Sequence, residues 1–270
     1  MLMLPKRMIF EVTRRCNYNC PYCYCIWNER PEFATHELDT AEWKGIIDRC
    51  VDEGVCDILF TGGEPIARQD VFELLSYARR KGPGIRLEIY TNGSLVTETV
   101  LRRLKRMRVR LSTSLPGLAS YGAMTGTRRT YRHVLEMIAR AAELNWPVSV
   151  GVTVTSVNAD EVENAVAAAI VSGAGIVQIA PVMAEGRCRR RMDLMLSRRK
   201  WNSIKARIGR LPGRTTVLVF CDEMLCDCRP QPPFLRRSYA LRGQFKCPAG
   251  RDFSVIGPDG RMRRCLHSLD

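Results

Sequence analysis

The sequence predicts an α/β fold, a partial (βα)6 barrel with a small cysteine-rich α+β module at its C-terminal end. Three observations predict it. Six apolar runs rich in β-branched residues recur between residues 7 and 183. Amphipathic helical stripes fill the gaps between them. After residue 184 this alternation gives way to Arg-rich and then Cys-rich sequence. Repeated strand–helix–strand units imply right-handed crossovers and a parallel sheet. Six units fall short of the eight of a closed TIM barrel, so an open, curved, TIM-like sheet is expected. The expected division is 1–214 for the barrel and 215–270 for the module.

The strand candidates, in order, are RMIFEVT (7–13), DILFTGG (57–63), RLEIYTNG (86–93), VRLSTSLP (109–116), PVSVGVTVT (147–155) and IVQIAPVM (176–183). Most are nearly continuous apolar stretches closed by Gly, Thr, Ser or Pro, as buried parallel strands read. Helices are expected over 40–53, 70–81 and 97–107, and in TYRHVLEMIARAAEL from Tyr131. In NADEVENAVAAAIVSG, Val162, Ala165, Val166, Ala169 and Ile170 form one stripe. Asn158 with Glu161 three residues on predicts that helix's start, and Gly173 its stop. Near the end, FSVIGPDGRMRR reads as a hairpin turning at Gly257-Pro258-Asp259-Gly260.

Composition narrows the function classes. With 46% hydrophobic residues in 270, a sizeable core can form and disorder is not the default. There is no apolar run of about 18 residues and no signal-like start, so a cytoplasmic protein with no membrane partner is expected. Twelve cysteines in a reducing compartment point to metal or catalysis rather than disulfides. The net charge of +14 is local in origin. Residues 187–214 hold eleven Lys or Arg against Asp193 alone, and residues 102–110 hold six. These are either solvated helix faces or a surface attracting an acidic partner, RNA or peptide.

The chemistry starts in RRCNYNCPYC (14–23), directly after the first strand, where the active ends of parallel strands lie. Cys16, Cys20 and Cys23 are soft donors suited to zinc or an iron–sulfur cluster. Structural zinc takes four protein ligands. Three thiolates on a four-iron cube leave one iron open to a ligand. Cys25 is poorly placed to complete a set of four.

Cys16-x3-Cys20-x2-Cys23, with Tyr22 before the last cysteine, resembles the signature of radical S-adenosylmethionine (SAM) enzymes. Gly62-Gly63-Glu64-Pro65 after the second strand is similar to the family's stretch for the methionyl amino group. Glycine permits close backbone approach there, and Glu64 is an anionic acceptor for an ammonium. By the same resemblance Asn92 in YTNGS and Ser112 or Ser114 on the fourth strand, Ser114 preferred, would contact the cofactor, with Thr153 near the adenosine. By the same resemblance, many relatives with an auxiliary domain carry an arginine just before the Thr-Gly pair that follows the fourth strand, used on the cofactor carboxylate. Here Ala123 and Met124 stand there, with Arg128 or Arg129 as the substitute. The implied reaction is reductive cleavage of SAM to a 5′-deoxyadenosyl radical, which abstracts hydrogen from an unactivated carbon.

Cys247, twelve residues, Gly260, four residues and Cys265 match the opening of the SPASM auxiliary-cluster domain. At most one auxiliary iron–sulfur cluster is expected, as in the half-size twitch form. Cys247 and Cys265 are its best ligands, with Cys221, Cys226 and Cys228 supplying the rest. A spare thiol, Cys226 among them, could donate hydrogen to a substrate radical. Cys50 and Cys56 read as core residues, Cys188 is undecided, and His267 reads as structural. The implied substrate is a peptide or protein, a ribosomal precursor to be crosslinked or epimerised. A flavodoxin- or ferredoxin-like electron donor is implied too. No leader-binding domain is expected before the first strand. The alternatives are a small-molecule or cofactor precursor as substrate, and, remotely, a zinc-bearing RNA-binding protein. The last leaves GGEP and the six βα units unexplained, so nucleic acid is not the expected partner.

Overall fold

The structure is a computed structural model that describes residues 4–211, 216–220 and 249–266. The chain divides into two compact units. One comprises Met1–Tyr18, Cys25–Thr113 and Pro248–Asp270, and the other Asn19–Tyr24 and Ser114–Cys247.

In the first unit, β1 (Arg7–Thr13), β2 (Asp57–Gly62), β3 (Arg86–Thr91) and β4 (Val109–Ser114) are parallel neighbours in that order. The four fall where the apolar runs place them. Each β1 residue from Met8 to Thr13 is buried, because both faces of the strand are covered. Met8, Phe10 and Val12 point one way. Phe10 stacks 5.2 Å from Trp43 and 5.6 Å from Phe60, ring centroid to centroid. Ile9 points the other way and packs with Leu59 and Val255. Trp43, Ile47 and Cys50 are the buried stripe of α1 (Thr40–Asp52), so Cys50 is the core thiol expected of it. Burial pushes that thiol up to about 12. Cys56, also read as core, is exposed, its Sγ 3.6 Å from the Lys6 carbonyl at the mouth of β2.

Helix boundaries follow capping chemistry. Asp39 and Glu42 form a reciprocal capping box at α1. Thr97 caps α3 (Glu98–Arg106). Between them α2 (Val71–Lys81) buries Val71, Leu74, Leu75 and Ala78.

The C-terminal hairpin forms as read, with β8 (Phe253–Ile256) antiparallel to β9 (Met262–Arg263). Beyond that reading, β8 also pairs in parallel with β1, Arg7 opposite Phe253 through Phe10 opposite Ile256. The hairpin thereby extends the sheet of the first unit beside β1. Arg263 reaches back from β9 to the Glu11 carboxylate, and both side chains are buried, 3% and 0% exposed. The Leu38 N–H donates to the Pro258 carbonyl in the turn.

In the second unit, β5 (Ser149–Val154), β6 (Ile176–Pro181) and β7 (Val217–Phe220) are parallel in that order. β7 lies beyond the six runs recognised in the sequence. α4 is the short helix Tyr121–Thr125, and α5 spans Arg132–Glu143. α6 runs Val162–Val171, with Glu161 rather than Asn158 at its N-cap. Asn158 is fully buried and closes a turn after β5. Its Oδ1 accepts from the Thr155 N–H at 2.7 Å, and its Nδ2 donates to the Thr153 carbonyl at 2.8 Å. A side chain consumed this way cannot cap the helix, so α6 starts later than expected. α7 (Arg198–Ile208) buries Trp201, Ile204 and Ile208 and turns its basic residues outward. Much of the charge in 187–214 is therefore a helix face, as the simpler reading held.

Breaking a buried ion pair by removing one partner is more costly than removing both. Glu11→Gln is expected to lower unfolding free energy by about 3–5 kcal/mol. The double change Glu11→Leu with Arg263→Met should recover much of it. Urea denaturation of both variants checks this.

Candidate active site

The cysteine loop leaves β1 at Thr13. Its root lies against the end of β2. The Gly63 N–H donates to the Thr13 carbonyl at 2.7 Å and the Glu64 N–H to the Arg15 carbonyl at 2.8 Å. Contacts this close exclude a side chain. A Cβ at Gly62, whose φ is +127°, would meet the Thr13 oxygen at 2.4 Å, and one at Gly63 would meet the Arg15 oxygen at 2.2 Å. Glu37, which the sequence reading passed over, holds the same root. Its carboxylate accepts from the Thr13 hydroxyl at 3.1 Å and the Arg14 N–H at 2.8 Å.

Glu64 is fully buried. Its carboxylate accepts from the Thr91 hydroxyl (2.7 Å), the Asn92 N–H (2.8 Å) and the Ile66 N–H (3.0 Å). Burial pushes its carboxyl above the ordinary value, and these three bonds pull it part of the way back. Pro65, also buried, opens the short turn that follows. Asn92 then reaches the cysteine loop. Its Nδ2 donates to Asn17 Oδ1 at 2.8 Å and lies 4.0 Å from Cys16 Sγ. The Tyr18 N–H points at the same sulfur from 3.4 Å. Cys25 is buried beside this bed, its Sγ 3.5 Å from the Gly62 carbonyl. Ser112, fully buried on β4, donates to Glu88 Oε1 at 2.5 Å.

Cys20, Tyr22 and Cys23 belong to the second unit. The Cys23 N–H donates to the Cys20 carbonyl at 3.2 Å, closing a turn over Pro21 and Tyr22. The C-terminus of α4 supports the loop before that turn. The Asn19 N–H donates to the Thr125 carbonyl at 3.0 Å, and Cys20 Sγ lies 3.8 Å from the same oxygen. Gly126 is left-handed, and a Cβ there would strike the Asn19 carbonyl at 2.5 Å. The Thr-Gly pair thus serves as a backbone seat for the loop. The Tyr22 ring packs on Val182, Cys188 and Leu194. Burial, with Cys20 and Cys23 alongside, holds its phenol well above the usual range. Cys188, undecided from sequence, is a buried thiol in this cluster, and burial pushes it up to about 11. Ser114 and Thr153 are half-buried on their strands, and Arg128 is exposed.

None of the described cysteines is in a disulfide. Among the described residues, no three His, Cys, Asp or Glu side chains converge on one metal position. A four-iron cube does not need convergence, since its thiolates bind separate irons. Three soft donors that follow β1 in the chain, none in a disulfide, and in the first unit a glycine-lined bed whose buried carboxylate is linked through Asn92 to Cys16, are residue types that fit such a cluster and an ammonium-bearing ligand.

The family model described as the Radical SAM superfamily matches residues 10–169. The chain belongs to the radical SAM superfamily, whose enzymes use S-adenosylmethionine and a [4Fe–4S] cluster. Among curated proteins, the PqqA peptide cyclase of Bradyrhizobium diazoefficiens is 28% identical over 283 residues, 97% of this chain and 67% of that protein. The AdoMet-dependent heme synthase of Nitratidesulfovibrio vulgaris is 33% identical over 156 residues, 57% of this chain and 41% of that one. Among solved structures, Streptococcus suis SuiB bound to precursor peptide SuiA superposes with a TM-score of 0.75 at 15% identity. That superposition covers 98% of this chain and 60% of SuiB. The likeness establishes the α/β partial-barrel fold. Among the described residues no helix is long and apolar enough to cross a membrane. Of the auxiliary-cluster candidates only Cys265 falls in the described residues, buried just past β9. Cys221, Cys226, Cys228 and Cys247 lie outside them, as does His267.

Glu64 generates a pH prediction. A carboxyl with a raised folded value is favoured when protonated, so its contribution to stability falls as pH rises above about 4.3, its unfolded value. The stability difference between wild-type apoprotein and Glu64→Gln should therefore change in that direction between pH 4 and 7, read by urea denaturation.

Proposed function

We propose that this radical SAM enzyme modifies a ribosomally made peptide, crosslinking or epimerising it. The observation that carries the cofactor part is Glu64, buried and fixed by Thr91, Asn92 and Ile66, with Asn92 also at Cys16. In this reading Cys16, Cys20 and Cys23 hold the cluster and leave one iron for the cofactor. Bound together, cluster and SAM supply an electron and a hydrogen-abstracting radical. The residues around them bind and orient. Gly62, Gly63 and Pro65 shape the bed, and Glu64 accepts the methionyl ammonium. Asn92 and the Tyr18 N–H direct dipoles at Cys16, which favours the reduced cluster. Ser114 and Thr153 serve ribose and adenosine. Ser112 is a weaker candidate because Glu88 already takes its hydroxyl. Arg128 stands in for the missing arginine.

Supporting the peptide substrate are the cyclase similarity, which runs along nearly the whole chain, and the fold likeness to SuiB. The similarity to heme synthases favours a second reading, a small-molecule substrate, but stops at 57% of the chain. Residues 215–270 form the auxiliary module in this reading. Cys265 and Cys247 hold a second cluster with Cys221, Cys226 and Cys228, and Cys226 is either a ligand or a hydrogen donor. A flavodoxin- or ferredoxin-like protein supplies electrons in this reading, and the clustered cysteines of the sequence support a cytoplasmic location.

Anaerobic reconstitution is expected to yield about eight irons per chain, the content of two four-iron clusters. About four would remove the auxiliary cluster. With dithionite and SAM the enzyme should release 5′-deoxyadenosine, and replacing Cys16, Cys20 or Cys23 by Ala should abolish release. A wild type that releases none sinks the reading. A short open reading frame beside the gene, encoding a peptide that changes mass on incubation, would decide for peptide over small molecule.

A further inference from the structure

The sequence reads residues 187–214 as a basic stretch, either solvated helix faces or a surface for an acidic partner, yet the first of those arginines is turned inward onto the cysteine loop. Arg187 meets the Cys20–Cys23 turn at both ends. Its backbone N–H donates to the Cys23 carbonyl at 2.9 Å, and its Nη1 donates to the Cys20 carbonyl at 3.2 Å. The Cys20 carbonyl is the one that already closes the turn. Gly186 makes the approach. It sits at φ +56°, and a Cβ there would lie 2.2 Å from the Cys23 oxygen and 2.6 Å from the Tyr24 carbonyl carbon. Only glycine fits. From the other side the Tyr22 ring, carried by the turn, packs on Val182, Cys188 and Leu194, which flank Arg187 in sequence.

We propose that Gly186–Arg187 is a clamp on the ligand-bearing turn, and that the Arg187 guanidinium makes the cluster easier to reduce. The inference rests on the reading of Cys20 and Cys23 as cluster ligands. A rigid turn fixes the spacing of the two thiolates before any iron arrives, in the manner of groups that orient metal ligands from outside the ligand set. A cube with three thiolates is anionic, and an added electron deepens that charge. A cation held near the turn therefore favours the reduced form. Arg187 is a positioning residue, since it touches the loop backbone.

The variants are Arg187→Gln, Arg187→Lys and Gly186→Ala, with exposed Arg190→Gln as the control for net charge. Thermal melts confirm folding. In the apoprotein, hydrogen exchange of the 19–24 segment should quicken about tenfold in Arg187→Gln, as loss of one charged hydrogen bond implies. It should quicken at least as much in Gly186→Ala and stay at the wild-type rate in Arg190→Gln. In the reconstituted enzyme, the midpoint potential should move negative in Arg187→Gln and stay near wild type in Arg187→Lys. Unchanged exchange in both Arg187→Gln and Gly186→Ala overturns the clamp. An unchanged potential in Arg187→Gln overturns the charge effect. Iron content and 5′-deoxyadenosine release of the wild type test the ligand reading by itself, so the two failures stay distinct.

Discussion

Two backbone hydrogen bonds, from Gly63 to Thr13 and from Glu64 to Arg15, hold the end of β2 against the root of the cysteine loop. Neither could form if residues 62 and 63 carried side chains, because a Cβ at either would overlap the loop's carbonyl oxygens. From this contact the rest of the first unit's site follows. Glu64 is drawn into a buried position where only hydrogen bonds from Thr91, Asn92 and Ile66 can satisfy it. Those bonds set the end of β3, and Asn92 carries the constraint on to Cys16. A carboxylate held this way is preorganised for a cation, at the expense of the stability it would contribute if solvated.

The C-terminal hairpin is bound to the same root. It pairs with β1 through backbone hydrogen bonds and the Glu11–Arg263 ion pair, and its turn accepts a hydrogen bond from Leu38, just before α1. Leu38 follows Glu37, whose carboxylate grips Thr13 and Arg14. The hairpin that carries Cys265 and the strand that leads to Cys16 thus share a register. A buried ion pair is weak evidence of added stability and better suited to fixing one alignment among several. β8 lies parallel to β1, and a one-residue slip would turn Val255 away from Ile9 and Leu59.

Much of this was legible in the residues themselves. The six apolar runs became strands with small boundary shifts, because continuous burial leaves a local signature. The cysteine spacing, GGEP and the hairpin turn are local too. The seats of the cysteine loop were not legible. Thr125 and Gly126 were noted only as the Thr-Gly pair before which an arginine was looked for, and they instead hold Asn19. Arg187 was counted with a charged surface. Glu37 lies in a short segment before α1 with no motif around it. Each acts through a partner more than twenty residues away, and pattern reading does not reach that far. Two of the three carry a weak signal all the same, a glycine whose left-handed φ goes with close backbone approach.

The sequence by itself determined the class of fold, the family and the residues that offer soft donors, because strand burial, helix capping and ligand spacing are all encoded over a few residues. Only the tertiary structure decided that β8 joins β1, that Asn158 serves a turn instead of a helix, and that Ser112 is bound to Glu88. It also decided that the loop RRCNYNCPYC is met from outside by glycines at 63, 126 and 186, and its root at Thr13 by Gly62. The physical reason is that a glycine's place in a chain says only that a side chain is missing. What comes close enough to need that space is settled when distant segments pack.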